Sequence, residues 1–113
     1  MQPFPFELDY YVTTEGERPF KEWLDGLPDI RARAKIRVRL DRVRLGNLGD
    51  NEPVGDGVRE LKIDYGPGYR VYFANQGKRI ILLLSGGDKG SQKKDIAKAR
   101  EFLVDYKRRE KHV

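Results

Sequence analysis

The sequence has 113 residues and a net charge of +5, with 38% hydrophobic and 36% charged residues. This length suffices for one domain around one core, spanning residues 1–113, and no apolar run approaches the ~18–20 residues of a transmembrane helix. The absence of cysteine excludes disulfides, thiolate catalysis and cysteine-based metal sites. Residues 1–5 have neither a basic start nor an apolar signal core, so export is not expected and a cytoplasmic location is predicted.

The positive charge is concentrated in two segments. Residues 31–44 hold 7 basic and 1 acidic residues, and residues 89–113 hold 9 basic and 4 acidic. A basic surface attracts polyanions through phosphate contacts and counterion release. One basic helix is readily explained as a solvated face, but two in a chain of this size favour nucleic acid, or an acidic protein partner.

The first predicted elements are a strand and a short helix. Apolar residues alternate loosely over Phe6–Thr13, which predicts a strand. Pro19 suits the first position of a helix, and apolar residues then recur at helical spacing, which predicts a helix over Pro19–Leu27. The apolar residues of that helix are Phe20, Trp23, Leu24 and Leu27.

The segment Asp29–Leu45 fits two patterns. Apolar and polar residues alternate from Ile30 to Leu40, as in a strand, but a run of about 16 residues exceeds the usual strand length. Ala, Arg, Lys and Leu favour a helix. We predict a helix with Asp29 as N-cap and Gly46 as terminator. Its predicted buried stripe is Ala32, Ile36, Leu40 and Val43.

A polar loop and three antiparallel strands are predicted next. The loop, Gly46–Gly57, has four glycines and is either a connector or a mobile rim beside a site. Turn residues then separate strands over Val58–Asp64, Tyr69–Ala74 and Arg79–Ser85. The last strand is apolar on both faces, which predicts a central position in the sheet.

A helix is predicted to complete the domain, from Gln92 to about Arg109 with Ser91 as its cap and a fraying tail from Lys107. Its apolar stripe is Ile96, Ala99, Phe102, Leu103 and Tyr106. The predicted order is β-α-α-β-β-β-α, an α+β domain with helices packed on an antiparallel sheet.

Lys62 and Arg70 are predicted to face each other on neighbouring strands. Like charges opposite each other in a sheet are unfavourable unless an anion lies between them, and a phosphate would serve. Alternatively, Glu60 and Asp64 neutralise the pair on a solvated face.

The segment Gly86–Ser91 runs from the end of a strand to a helix N-terminus. Free amides and the helix dipole favour an anion there, and glycines allow a close approach to phosphate. Lys89 is a candidate phosphate ligand. The commoner alternative is a simple strand-to-helix turn, with Ser91 as an ordinary cap and Lys89 as a solvated lysine.

Other chemistry is poorly supported by the sequence. His112 is the single histidine and is not expected to act as a base or metal ligand, and no acidic spacing suggests a metal site. Phe20 and Trp23 fit a core better than a base-stacking platform. Tyr65 and Tyr72 suit stacking on bases or proton donation, and equally a core or half-buried position on a strand.

Several blocks of the sequence resemble the RelE/ParE superfamily of type II toxins, and most of all its phage-related, HigB-like "addiction module killer protein" branch. The blocks are Phe20–Leu24, Glu60–Ile63, Gly66–Phe73 and Leu84–Ile96. The resemblance implies a microbial-RNase-like α+β fold. It also implies a cytoplasmic toxin that is held inactive by a helix-turn-helix antitoxin and cleaves mRNA in the ribosomal A site without a metal or other cofactor.

The same resemblance implies roles for three residues. Arg70 matches the arginine that contacts the scissile phosphate, Lys62 a lysine that assists activation of the 2′-hydroxyl, and Lys89 the basic residue after the last core strand. The match is incomplete, because the start of the final helix offers no tyrosine and Glu60 occupies the position of a second lysine.

In the mechanism expected from these residues, the RNA supplies the nucleophile and the protein aligns the backbone and stabilises charge. Arg70 would contact the phosphoryl oxygens, and Lys62 would act electrostatically or, with its pKa depressed by Arg70, as a general base. Further RNA contacts are predicted at Arg31, Arg33, Arg37, Arg39, Ser91, Gln92, Lys93 and Lys94. Two alternatives remain open: a ParE-like toxin that binds DNA gyrase and cleaves no RNA, and a non-toxic protein that binds nucleic acid or antitoxin.

Overall fold

The computed structural model describes residues 5–111, so His112 and the first four residues lie outside the described part of the chain. Five strands and three helices account for most of that part. They are β1 Glu7–Tyr10, α1 Pro19–Asp25, α2 Ile30–Arg44, β2 Asn51–Gly55, β3 Val58–Ile63, β4 Tyr69–Gln76, β5 Ile80–Asp88 and α3 Gln92–Glu110. Among the described residues, no helix has the length and apolar character needed to cross a membrane.

The strands form one mixed sheet in the order β1-β5-β4-β3-β2. β1 runs parallel to β5, while every other pair is antiparallel. The predicted α+β class is confirmed, but the prediction of a wholly antiparallel sheet is wrong. The alternation in Phe6–Thr13 indicated a strand without indicating its partner, and the two helices that follow β1 carry the chain back before the other strands begin.

The predicted loop Gly46–Gly57 contains a strand, β2, so that four strands and not three lie between α2 and α3, which corrects the predicted order. β2 pairs with β3, with Glu52 opposite Glu60. It is an edge strand, and an edge tolerates short length, polar residues and the proline at position 53, because one side of the backbone needs no partner. Those features made the segment look like a loop.

The two faces of the sheet bury separate cores. On one face, α1 and α2 cover a cluster that includes Phe20, Ile36 and Leu61, all at most 1% exposed. On the other, α3 covers a cluster that includes Tyr72 and Leu84, which are inaccessible to solvent. β5 contributes to both clusters, which confirms that it is covered on both faces, but it lies between β1 and β4, and the central strand of the five is β4.

The helix prediction for Asp29–Leu45 is confirmed. The Asp29 carboxylate accepts hydrogen bonds from the backbone amides of Arg31, at 2.9 Å, and Ala32, at 3.3 Å. The four residues of the predicted stripe are buried: Ala32, Ile36, Leu40 and Val43. The strict alternation was therefore misleading, and length and capping residues were the better guide.

The end of β5 differs from the prediction. The strand continues past Ser85 to Asp88, so that Gly86 and Gly87 pair with β4 instead of forming a loop. Asp88, and not Ser91, is the capping side chain: it accepts from the amide of Gly90 at 2.8 Å and caps a 3₁₀ turn before α3. At the other end, α3 is helical as far as Glu110, so the fraying predicted from Lys107 is wrong over those residues.

Candidate functional site

A cleft at one end of the β3–β4 hairpin brings together the three predicted catalytic residues. Lys62 lies directly opposite Arg70 in the sheet, as predicted. The backbone amide of Lys89 donates to the carbonyl of Gly68 at 2.8 Å, which ties the start of the 3₁₀ turn to the hairpin. The cleft has a volume of about 430 Å³. It is lined by Asp50, Lys62, Asp64, Gly66, Pro67, Gly68, Arg70 and Lys89.

Gly68 allows the hairpin to approach both cations. Its φ of +84° is a conformation that side chains rarely adopt. A Cβ atom there would lie 3.4 Å from Nη1 of Arg70 and 3.5 Å from Cβ of Lys89. The missing side chain therefore leaves room for the guanidinium at the wall of the cleft.

Arg70 is held from below by a buried carboxylate. Its Nε lies 3.6 Å from Oε1 of Glu60, and the two side chains are 12% and 0% exposed. Nε2 of Gln92 donates to the other oxygen of Glu60 at 2.8 Å, and Nη1 of Arg70 donates to the carbonyl of Tyr69 at 3.1 Å. The alternative that Glu60 neutralises Arg70 is thus partly correct, but the pair is buried and not on a solvated face.

Lys62 is paired with a residue that the sequence did not suggest. Its Nζ lies 3.0 Å from Oε1 of Glu52 on β2, and Asp64 is not its partner. The hydrogen bond to Glu52 raises the pKa of Lys62. This direction is opposite to the depression by Arg70 that a general-base role for Lys62 would require, so the structure favours an electrostatic role for this lysine.

The two candidate tyrosines, Tyr65 and Tyr72, make contacts within the protein. Tyr72 is inaccessible to solvent in the α3-side core, and burial, followed by the neighbouring Glu60 carboxylate, raises its pKa. The hydroxyl of Tyr65 donates to Asp29 at 3.2 Å, and Nζ of Lys35 lies 5.0 Å above its ring. Tyr72 is thus unavailable for stacking on a base, whereas Tyr65 lies at the surface beside α2.

The glycines in the last part of β5 do not form a phosphate loop. A Cβ atom at Gly86 would overlap the ring of Trp23, and one at Gly87 would overlap the carboxylate of Asp95. Both glycines make room for side chains packed on the strand, which corrects the anion-loop hypothesis. Phe20 is buried and Trp23 packs against the same core, which confirms their predicted core role.

The four predicted RNA-binding arginines of α2 do not share a surface. Arg37 lies 3.8 Å from Asp25 of α1, while Arg39 donates to the carbonyls of Lys62, Leu48 and Asp50. Burial lowers the pKa of Arg39. Arg31 is exposed and Arg33 half-buried. A helix turns by about 100° per residue, so arginines at alternate positions diverge around it.

Two of the four predicted contacts near α3 are engaged within the protein. Gln92 binds Glu60, and the hydroxyl of Ser91 donates to Asp95. Lys93 and Lys94 are exposed in the first turn of the helix. Sequence reasoning missed Asp50 and Glu52, because both belong to the segment predicted as a loop. Within residues 5–111, no group of three or more His, Cys, Asp or Glu side chains is placed to hold a metal ion.

Residues 22–103 match the family described as Phage derived protein Gp49-like (DUF891). The chain belongs to this family. A relative from Haemophilus influenzae, named only as an uncharacterized protein, is 51% identical over 81 residues, which are 72% of this chain and 82% of the relative. The predicted RelE/ParE membership is therefore wrong, since the family that matches is the Gp49-like one. In this Gp49-like chain, every residue that lines the cleft lies inside the matched segment.

Proposed function

We propose that this Gp49-like protein is the toxin of a type II toxin–antitoxin pair and cleaves mRNA on the ribosome without a metal ion. The observation that carries the proposal is the convergence of Lys62, Arg70 and Lys89 on one cleft. Membership of the phage-derived Gp49-like family supports the general assignment as a toxin. Its partners would be mRNA, ribosomal RNA and a helix-turn-helix antitoxin encoded beside it.

The proposed reaction uses the substrate's own nucleophile. The RNA 2′-oxygen attacks the adjacent phosphorus, the bond to the 5′-oxygen breaks, and the products are a 2′,3′-cyclic phosphate and a 5′-hydroxyl. The nitrogens Nη1 and Nη2 of Arg70 would stabilise the phosphoryl oxygens, because Glu60 holds the guanidinium by its Nε edge. Lys62 and Lys89 would contribute positive charge.

A carboxylate suits the role of proton acceptor better than Lys62, because the ion pair with Glu52 favours the protonated form of this lysine. Two carboxylates, Asp50 and Asp64, line the cleft and suit that role. The leaving 5′-oxygen takes up a proton from solvent water, which completes the 5′-hydroxyl. Separate Asp50→Asn and Asp64→Asn variants would identify the acceptor by which of them lowers kcat.

The carboxylate partner of Lys62 is a modest obstacle to phosphate binding. Glu52 is 51% exposed on its side chain, and exposed ion pairs contribute about 0–1 kcal/mol. An incoming phosphate therefore displaces Glu52 at little cost. Glu60, in contrast, stays in place because it is buried beneath Arg70.

The test is in-vitro translation followed by primer extension. The proposal expects new cleavage ends with the wild type and a fall of at least about a hundredfold with Arg70→Ala. Arg79→Ala is the matched control, because Arg79 is an exposed arginine that precedes β5, at the opposite end of the β4–β5 pair from Arg70. No new ends with the wild type, or equal cleavage by Arg70→Ala, would contradict the proposal.

A second candidate is a toxin that binds DNA gyrase and cleaves no RNA. The observation in its favour is that Lys62 and Arg70 already have carboxylate partners, which lowers the net positive charge of the cleft. This candidate expects a DNA-damage response and stalled replication with intact transcripts. Measuring transcript cleavage and the DNA-damage response after induction in the same cells separates the two candidates.

A further inference from the structure

A second depression, the α2 groove, lies between α2 and the end of β3. It is lined by four residues with apolar or aromatic side chains, Ala34, Val38, Ile63 and Tyr65, and by the charged residues Lys35, Arg39, Arg42 and Asp64. The groove has a volume of about 370 Å³, within the range of about 300–1,000 Å³ typical of ligand pockets. Val38 is 49% exposed, which is high for an apolar residue facing neighbouring elements.

The α2 groove adjoins the cleft. Asp64 lines both depressions, and Arg39, also in the groove wall, donates to the carbonyl of Lys62 and so joins α2 to the strand that carries it. Lys62 and Ile63 face opposite sides of the sheet, so a chain molecule bound at the cleft reaches the groove by passing round the end of β3 at Asp64.

The cations on the two flanks of α2 differ in their partners. On the flank away from the groove, Arg37 pairs with Asp25 at 3.8 Å and Arg44 with Asp41 at 3.7 Å. On the groove flank, neither Lys35 nor Arg42 forms an ion pair with any described residue. The groove flank therefore keeps its positive charge available for an anionic ligand.

We infer that the α2 groove binds single-stranded RNA flanking the cleaved linkage, with phosphates against Lys35 and Arg42 and a base against Ala34 and Val38, since Nζ of Lys35 lies over the ring of Tyr65. Basic grooves with aromatic or apolar platforms are the usual means of holding single-stranded nucleic acid. An acidic protein segment would match the same charge, but continuity with the cleft favours the RNA. The inference rests on the proposed function for the identity of the substrate.

The test measures binding separately from cleavage. A fluorescent 2′-O-methyl RNA, which lacks the nucleophile, is titrated with protein at several salt concentrations. Lys35→Ala/Arg42→Ala is compared with Arg37→Ala/Arg44→Ala, which removes the same charge from the opposite flank of the same helix. Each phosphate contact to a single strand contributes about 0.7 to the salt slope, so the groove variant should lower it by about 1.4 and weaken binding roughly tenfold.

The outcomes distinguish this inference from the proposed function. Equal weakening by both variants, no effect of either, or no binding by the wild type overturns the groove assignment, as does loss of antitoxin binding with RNA affinity intact. If the wild type fails to cleave mRNA but the groove variant alone loses RNA affinity, the proposed function fails and the groove stands. Because both groove side chains are exposed, the variants should fold, which matched thermal unfolding curves would verify.

Discussion

Arg70 and Glu60 form an ion pair between neighbouring strands, with Nε and Oε1 3.6 Å apart; the Glu60 side chain is inaccessible to solvent, and that of Arg70 is 12% exposed, at the cleft. Gln92, at the start of α3, donates to the second oxygen of Glu60 at 2.8 Å. The position of Arg70 in the cleft therefore depends on a residue from a different part of the chain, through a carboxylate that no substrate reaches.

Glu60→Gln should destabilise the fold. The change leaves the guanidinium of Arg70 buried without its counter-charge, and breaking a buried pair from one side costs about 3 kcal/mol. Urea unfolding would show a lower midpoint at unchanged slope. Glu60→Gln/Arg70→Met, which removes both charges, should recover most of the loss. A single variant as stable as the wild type would show that the pair contributes nothing.

Glu52→Gln should lower the pKa of Lys62 towards its reference of about 10.4, because it removes the carboxylate that raises it. Side-chain NMR of the lysine would measure the shift. In the wild type, the raised pKa means that the pair's contribution to stability is complete below the reference value and is lost only as the pH rises through the folded-state pKa. An unchanged pKa would show that Glu52 is not the partner in solution.

Under the proposed function, the same Glu52→Gln variant should cleave mRNA faster, by up to about fivefold, since the phosphate no longer competes with an exposed ion pair. Asp56→Asn serves as the control, because it makes an equal change of charge at the residue that directly follows β2. Slower cleavage by the Glu52 variant would indicate that Glu52 takes part in the chemistry.

Gly86→Ala should be strongly destabilising. An added methyl group would overlap the ring of Trp23, and overpacking of this kind typically costs about 1–3 kcal/mol or more. Gly90→Ala is the comparison, because its added methyl group would meet only Oδ1 of Asp88, at 3.1 Å, and should cost at most the Asp88 cap, about 1 kcal/mol. Thermal unfolding of the two variants would measure the difference, and equal midpoints would contradict the packing described.

Asp105→Asn should lower stability at neutral pH and much less in acid. The hydrogen bond from Tyr11, at 2.6 Å, is the main cause of the lowered pKa of Asp105, and Arg109 adds to it. Because the folded-state pKa lies below the unfolded one, the contribution is complete above about pH 4 and is lost as the pH falls through the folded-state pKa. A hydrogen bond to a charged group contributes about 1.5–3 kcal/mol, and partial exposure of Asp105 favours the lower figure.

Unfolding midpoints from pH 7 down to pH 2 would test this dependence. Glu101→Gln removes the same charge from an exposed side chain on the same helix, so it should change stability little at any pH. A difference between Asp105→Asn and the wild type that stays constant through the acid range would contradict the assignment.

Local sequence signals predicted helix α2 and the position of Lys62 directly opposite Arg70 in the β3–β4 hairpin. Asp29 caps the helix through its own side chain, and the short hairpin fixes the register of β3 and β4. The partners of those cations were not predictable in this way. Glu52 reaches Lys62 only because a polar segment with a proline becomes an edge strand, and Glu60 is buried only because α3 packs over it.

The glycines of β5 show a related limit. Gly86 and Gly87 suggested a flexible turn, because glycine is common wherever the backbone needs freedom. In the structure they are strand residues whose lack of side chains accommodates Trp23 and Asp95 from two helices. A glycine in the sequence is compatible with a crowded position as well as with a flexible one, and it does not indicate which neighbour occupies the space.

The parallel pairing of β1 with β5 has a consequence for the order of folding. The backbone at β1 bonds to residues 72 positions later in the chain: the amide of Glu7 donates to the carbonyl of Arg79, and that of Tyr11 to the carbonyl of Leu83. During synthesis, the first strand therefore has no place in the sheet until the last strand has left the ribosome. Closing so long a loop is slower than forming the β3–β4 hairpin, so nascent chains should pass through a state in which the outer edge of β5 is open to another strand.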